Sequence, residues 1–148
     1  MREIVLCTTL TDHSLDLMKE LKGSPLLDDA RIHIVHCFEI QVYTNEFSPY
    51  IYPTEDKYPE LTEAAQSILQ SVEDELKKEH PSSEYIKEVY FTQSPKQKMK
   101  EYLSEINADL VVVATRGKHG IEGLFTSSFA EFLVKYSPCD IHILRPKN

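Results

Sequence analysis

Three of the chain's four glycines, Gly117, Gly120 and Gly123, fall in one segment, ATRGKHGIEGLFTSSFAEF, running from Ala114 to Phe132. Glycine permits sharp turns and close approach of a ligand to the backbone. Arg116, Lys118 and His119 make the segment locally basic, which suits a phosphate. Ser127 and Ser128 stand where a helix should begin, and the free N–H groups and dipole of a helix start attract anions. These types and spacings point to holding a phosphate. The standard nucleotide motifs are absent, however: there is no GxxxxGK[ST], and the glycines are spaced GxxGxxG, not GxGxxG. A ligand-free reading stands beside this one. Ser128-x-x-Glu131 is also a capping box, the glycines can serve left-handed turns alone, and the basic cluster can be solvated surface.

Other constellations dissolve on inspection. Asp12-His13-Ser14 has the letters of a hydrolase triad, but adjacent residues on one chain cannot converge on one reacting centre; Asp12 is expected to cap a helix. His33 and His36 suggest metal ligands until strand alternation puts them on opposite faces, so no metal site is expected. Three cysteines, Cys7, Cys37 and Cys139, are odd in number and lack CxxC spacing. They read as small buried apolar residues of a reducing compartment. No general base stands out near the glycine segment, and no catalytic residue is assigned. Tyr43, Phe47, Tyr50, Tyr52 and Tyr58 lie in an otherwise polar stretch and fit a ligand lid, a partner surface or a loop folded over the sheet.

The elements that must position these residues alternate. Glu3–Thr8 is a continuous apolar run, the pattern of a strand buried on both faces. Leu15, Met18 and Leu21 follow at helical spacing, ended by Gly23-Ser24-Pro25. A second strand covers Arg31–Glu39, and Gln41–Tyr58 has no clear period. Pro59–Glu79 is the clearest helix, with Leu61, Ala65, Ile68, Val72 and Leu76 inward. Tyr85–Phe91 is a more polar strand, expected near an edge. Ser94-Pro95 opens a helix to Ile106, with Met99, Leu103 and Ile106 inward. Leu110–Ala114, LVVVA, is the most hydrophobic strand and is expected at the sheet centre. A helix over 128–136 and a last strand, Asp140–Arg145, follow.

Five strands joined by helical crossovers imply an α/β fold: a doubly wound, mainly parallel sheet with helices on both faces. Ligands bind such sheets beyond the carboxyl ends of the strands, where the strand order reverses. If the first and fourth strands flank that point, Thr8, Thr9 and the loop after Ala114 converge on it. The 148 residues make one domain, 1–148. With 16 Lys and Arg against 24 Asp and Glu, the net charge of −8 argues against sequence-independent nucleic-acid binding. No apolar run approaches a membrane span. The N-terminus enters a strand directly without a signal-peptide pattern, so a cytoplasmic location is expected.

The opening strand, ADLVVVATRGKHG and the closing FAEFLVKYSPCDIHILRP together resemble the universal stress protein family over nearly the whole chain. The resemblance implies a Rossmann-like fold of the adenine nucleotide alpha hydrolase type. It also implies a homodimer formed through the final strand, here Ile141, His142, Ile143 and Leu144, and ATP or AMP as ligand. ATP-binding members carry G-x2-G-x9-G-[ST]. Laid on this chain, the motif places Ala114 at the first glycine, Gly117 at the second, Ser127 at the third and Ser128 at the hydroxyl. Family members also usually carry an Asp just after the first strand, where this chain has Thr9 or its neighbour. The resemblance so implies a degenerate nucleotide site of Thr8, Thr9, Ala114, Arg116, Gly117, Lys118, Gly120, Ser127 and Ser128. On this reading the chain is a non-catalytic stress-response homodimer with weak or absent canonical ATP binding. The alternatives are an ATP-binding member with slow hydrolysis, in which Thr9, Ser127 and Ser128 replace the usual contacts, and a small-molecule binding module built on the aromatic stretch.

Overall fold

The computed structural model describes residues 1–8, 12–44, 47–114 and 129–145, with backbone alone at 12–14 and 17. Strand β1 (Arg2–Thr8) pairs in parallel with β2 (Ala30–Glu39) on one side and with β6 (Leu110–Ala114) on the other. Beyond β2 lies β5 (Glu84–Thr92), and beyond β6 lies β7 (Asp140–Leu144), so the sheet runs β5-β2-β1-β6-β7 with every pairing parallel. The polar strand β5 is an edge, as its composition predicts. LVVVA is not the centre; β1 is, and β6 stands beside it. Hydrophobicity reports burial on two faces, which all three inner strands share, and does not rank them by position.

Alternate residues of the central strands feed two cores. Ile4, Leu6, Ile32, Ile34, Val112 and Ala114 pack with helices α1 (Asp12–Lys19) and α2 (Tyr58–Glu79). Val5, Cys7, Val35, Val111 and Val113 pack with α3 (Pro95–Glu105) and with Ala130 and Leu133 of the helical segment α4 (129–136). On α2 the buried line runs through Ala65, Leu69, Val72 and Leu76, and Ile68 is half-buried beside it. Glu73 is buried on the same helix because Lys87 of β5 reaches it as an ion-pair partner.

Polar residues do the work that glycine does in many folds. Ser94 caps α3 by accepting from the Gln97 N–H at 3.3 Å. Asn107 ends α3 in the left-handed region, at φ 53, and the Ala108 N–H closes the turn on the Leu103 carbonyl at 2.9 Å. A chain of side chains, buried at His33 and Tyr102 and partly exposed at Glu3 and Arg31, ties β1, β2 and α3 together. The Tyr102 hydroxyl donates to His33 Nδ1 at 2.6 Å, and His33 Nε2–H donates to Glu3 at 2.8 Å. Glu3 also accepts from Arg31 at 2.6 Å.

The aperiodic aromatic stretch forms a small antiparallel ribbon, β3 (Gln41–Tyr43) with β4 (Tyr50–Tyr52), outside the main sheet.

Candidate functional site

The strand order reverses between β1 and β6. The chain leaves β1 through α1 toward β2 and reaches β6 from α3, which lies on the opposite face. The two crossovers diverge, and in sheets of this kind such a reversal is where a ligand crevice forms, beyond the carboxyl ends of the strands. Its described rim is Thr8, directly after the Cys7–Val113 pair in the register, and Ala114. Both are buried. Ala114 pairs with Leu144 of β7, and its methyl belongs to the core cluster shared with α1 and α2.

His36 fixes the β1 side of this rim. It pairs with Thr8 in the β1–β2 register, and its Nδ1–H donates to the Thr8 carbonyl at 2.8 Å. Burial lowers its pKa, and the bond to Thr8 opposes that shift. The imidazole therefore acts as a neutral donor that sets the tautomer and holds the strand end. From there a series of ring contacts runs outward along the same face. His36 meets Phe38 edge-on at 4.5 Å, Phe38 stacks on Phe91 at 4.9 Å, and Phe91 stacks on Tyr58 at 3.9 Å. His36 carries this role in place of the metal-ligand role its spacing first suggests. The signal for it was its position opposite the end of β1.

Of the proposed nucleotide residues, the structure places Thr8 and Ala114 together. Thr9, Arg116, Gly117, Lys118, Gly120, Ser127 and Ser128 lie outside the described residues, as does the first member of the Ser128–Glu131 box. His33 bonds on the α3 side through Tyr102, and His36 packs against Phe38 on the α2 side, so the two histidines do not share a centre. No cluster of metal-ligating side chains occurs among the described residues. The thiols are quiet: burial raises Cys7 well above its usual value and pushes Cys37 up to about 11.

At the other end of the sheet, β7 has β6 as its one partner strand among the described residues. Ile141 and Ile143 are half-buried against the α3 and α4 core, and Leu144 lies against the other core. His142 alternates with the isoleucines and is exposed. No helix among the described residues is long and apolar enough to cross a membrane.

A five-stranded parallel sheet between two helical layers, with its strand order reversing between β1 and β6, defines a domain of the Rossmann-like class. The profile of the Universal stress protein family matches residues 1–145, and the chain belongs to that family. A protein of Staphylococcus aureus (strain USA300), provisionally named a universal stress protein, is 38% identical over 53 residues. That alignment covers 35% of this chain and 32% of the relative, so the chain spans about a third of that relative's length. A universal stress protein solved in complex with cAMP superposes with a TM-score of 0.67 at 20% identity, over 99% of this chain and 98% of that one. A universal stress protein family member from Arabidopsis thaliana, solved with AMP bound, gives a TM-score of 0.62 at 13% identity, over 99% of this chain and 93% of that one. At these identities the structural likenesses carry the fold.

Proposed function

We propose that this chain is a non-catalytic, cytoplasmic stress-response protein, working as a homodimer, whose crevice takes an adenine monophosphate and binds ATP weakly or not at all. The observation that carries the reading is the rim at Thr8 and Ala114. The Ala114 methyl packs in the core, so it does not itself take up space that a nucleotide would need. The residues after Cys7 are Thr8, Thr9, Leu10 and Thr11, and none is the carboxylate that would accept from a ribose or base. Hydrogen bonds to charged groups are worth about 1.5–3 kcal/mol, so this loss costs affinity without closing the site. Two structural relatives hold cAMP and AMP, in keeping with a monophosphate ligand. His36, a titratable group beside Thr8, has Nδ1 committed to a carbonyl and its pKa lowered by burial, which is poor placement for a general base.

Calorimetry on protein stripped of nucleotide tests this reading. AMP is expected to bind with measurable heat and Mg-ATP at least tenfold more weakly. Micromolar Mg-ATP binding accompanied by turnover would replace it with the ATP-hydrolysing alternative. Light scattering tests the assembly. A dimer is expected, and His142→Glu, which puts a charge on an exposed position of the β7 edge, is expected to shift it toward monomer.

A further inference from the structure

Beyond the carboxyl ends of β2 and β5, the ribbon of β3 and β4 stands over the start of α2 and leaves a groove of about 740 Å³. Ile40, Val42, Ile51 and Pro53 supply apolar wall, and Tyr58 and Glu55 come from the chain entering α2. The volume lies within the range of about 300–1,000 Å³ usual for small-molecule sites. The ribbon is also unusually apolar for its exposure. Nine large apolar residues are exposed among those described, and six of them, Val42, Tyr43, Phe47, Tyr50, Ile51 and Tyr52, belong to this one segment. Scattered exposed apolar residues need no explanation, whereas a contiguous group marks a contact surface.

We propose that this groove is a second ligand site, separate from the nucleotide crevice, for a planar aromatic molecule carrying a positive charge or none. Shape follows from the rings. Phe38, Phe91 and Tyr58 form a stack, with planes 16° apart in the first pair and 10° in the second. Tyr58 ends that stack and lines the groove, so a flat ring entering it continues an offset-stacked column. Charge follows from the side chains. Glu55 contributes a carboxylate, and no lysine, arginine or histidine is among the lining residues described. The tyrosine faces and the chain's net charge of −8 act in the same direction. A phosphorylated ligand finds no cation among the described lining residues, which separates this site chemically from the one proposed at Thr8 and Ala114.

Proflavine, a tricyclic cation, and anthracene-9-carboxylate, a tricyclic anion, are both fluorescent and serve as probes. Each is titrated with the full chain at near-physiological salt and followed by anisotropy. Proflavine is expected to bind saturably, and the anion at least tenfold more weakly. Ile51→Lys and Glu55→Lys alter exposed groove positions, so the fold is expected to survive, as circular dichroism would verify. Each is expected to weaken proflavine about tenfold, equal to about 1.4 kcal/mol, and saturating AMP is expected to leave proflavine bound. The proposal is overturned by the absence of saturable proflavine binding or by equal affinity for the anion. Unchanged proflavine affinity in both variants, or displacement by AMP, overturns it equally. The AMP titration of the stripped protein stands or falls independently of these outcomes.

Discussion

Replacing Ala114 by glycine restores the residue that the family's nucleotide motif has at this position, and two lines of reasoning predict opposite results. If the alanine methyl obstructs a nucleotide, Ala114→Gly raises ATP affinity. In the structure, Ala114 is 5% exposed and its methyl packs in the core with Leu6, Leu15 and Val112. Removing a buried carbon costs about 0.8 kcal/mol, and glycine in a strand adds about 0.5–1 kcal/mol of backbone entropy. The expected destabilisation is therefore about 1.5 kcal/mol, which for a domain of this size lowers Tm by roughly 3–6 °C. Urea unfolding of both proteins gives the stability difference, with the m-value checking that the transition keeps its two-state form. Calorimetry with AMP and Mg-ATP gives the affinities, which are expected to stay within about twofold, or about 0.4 kcal/mol. A variant as stable as the parent that binds Mg-ATP tenfold more tightly would refute the inward placement of the methyl.

Three further outcomes follow from the buried polar groups and thiols. Tyr102→Phe removes the hydroxyl that donates to His33 Nδ1 and leaves a buried acceptor unpaired, so a loss of about 1–3 kcal/mol is expected in urea unfolding. Because burial lowers the His36 pKa in the folded state, the unfolded chain binds the extra proton first as pH falls. Its contribution is complete above about pH 6.5 and is lost as pH drops through the folded value. Comparing unfolding free energies at neutral and mildly acidic pH, His36→Gln, which keeps a donor for Thr8, is expected to show a shallower decline than the parent. Cys37, pushed up to about 11 by burial, is expected to react with a disulfide reagent near pH 8 about a hundredfold more slowly than a free thiol, and Cys7, also raised by burial, is expected to react slowly too. Full reactivity should return in denaturant, and fast labelling of the native protein would contradict the burial of Cys7 and the half-burial of Cys37.

Much of the fold could be read from periodicity because two-sided burial and helical spacing leave strong marks. The strand starting at Glu3 gains only Arg2, the helix at Pro59 gains only Tyr58, and the Ser94-Pro95 start is a true cap. Position within the sheet was less legible. LVVVA and EIVLCT are both covered by helices on two faces, so nothing in their composition says which is central. On α2, the line through Ile68 and the line through Leu69 both satisfy a step of three or four, and only the packing of α1 and β2 against the helix separates them. The burial of Glu73 leaves no mark in the sequence around it because its partner, Lys87, comes from a different element. The ribbon was missed because strands of three residues are too short to show alternation.

The site divides along the same line. Its expected location rests on topology, since a β1–β6 reversal brings Thr8 and Ala114 together whatever their side chains are. The weight given to Ala114 came from aligning letters with a motif, and a motif carries no side-chain direction. Strand alternation did carry it: counting by two from Leu110 puts Val112 and Ala114 on one face, and the face that buries Val112 also buries the methyl. The methyl is therefore a core atom that cannot also be an obstacle in the crevice. On the proposed reading, weak ATP binding must then come from the missing carboxylate after Cys7 and from Ser127 at the motif's third glycine. These two departures make different demands on a ligand. Loss of a ribose or base acceptor weakens AMP and ATP alike, whereas a side chain at the phosphate position weakens the longer phosphate chain more. The ratio of AMP to ATP affinity, more than either value alone, separates the two causes.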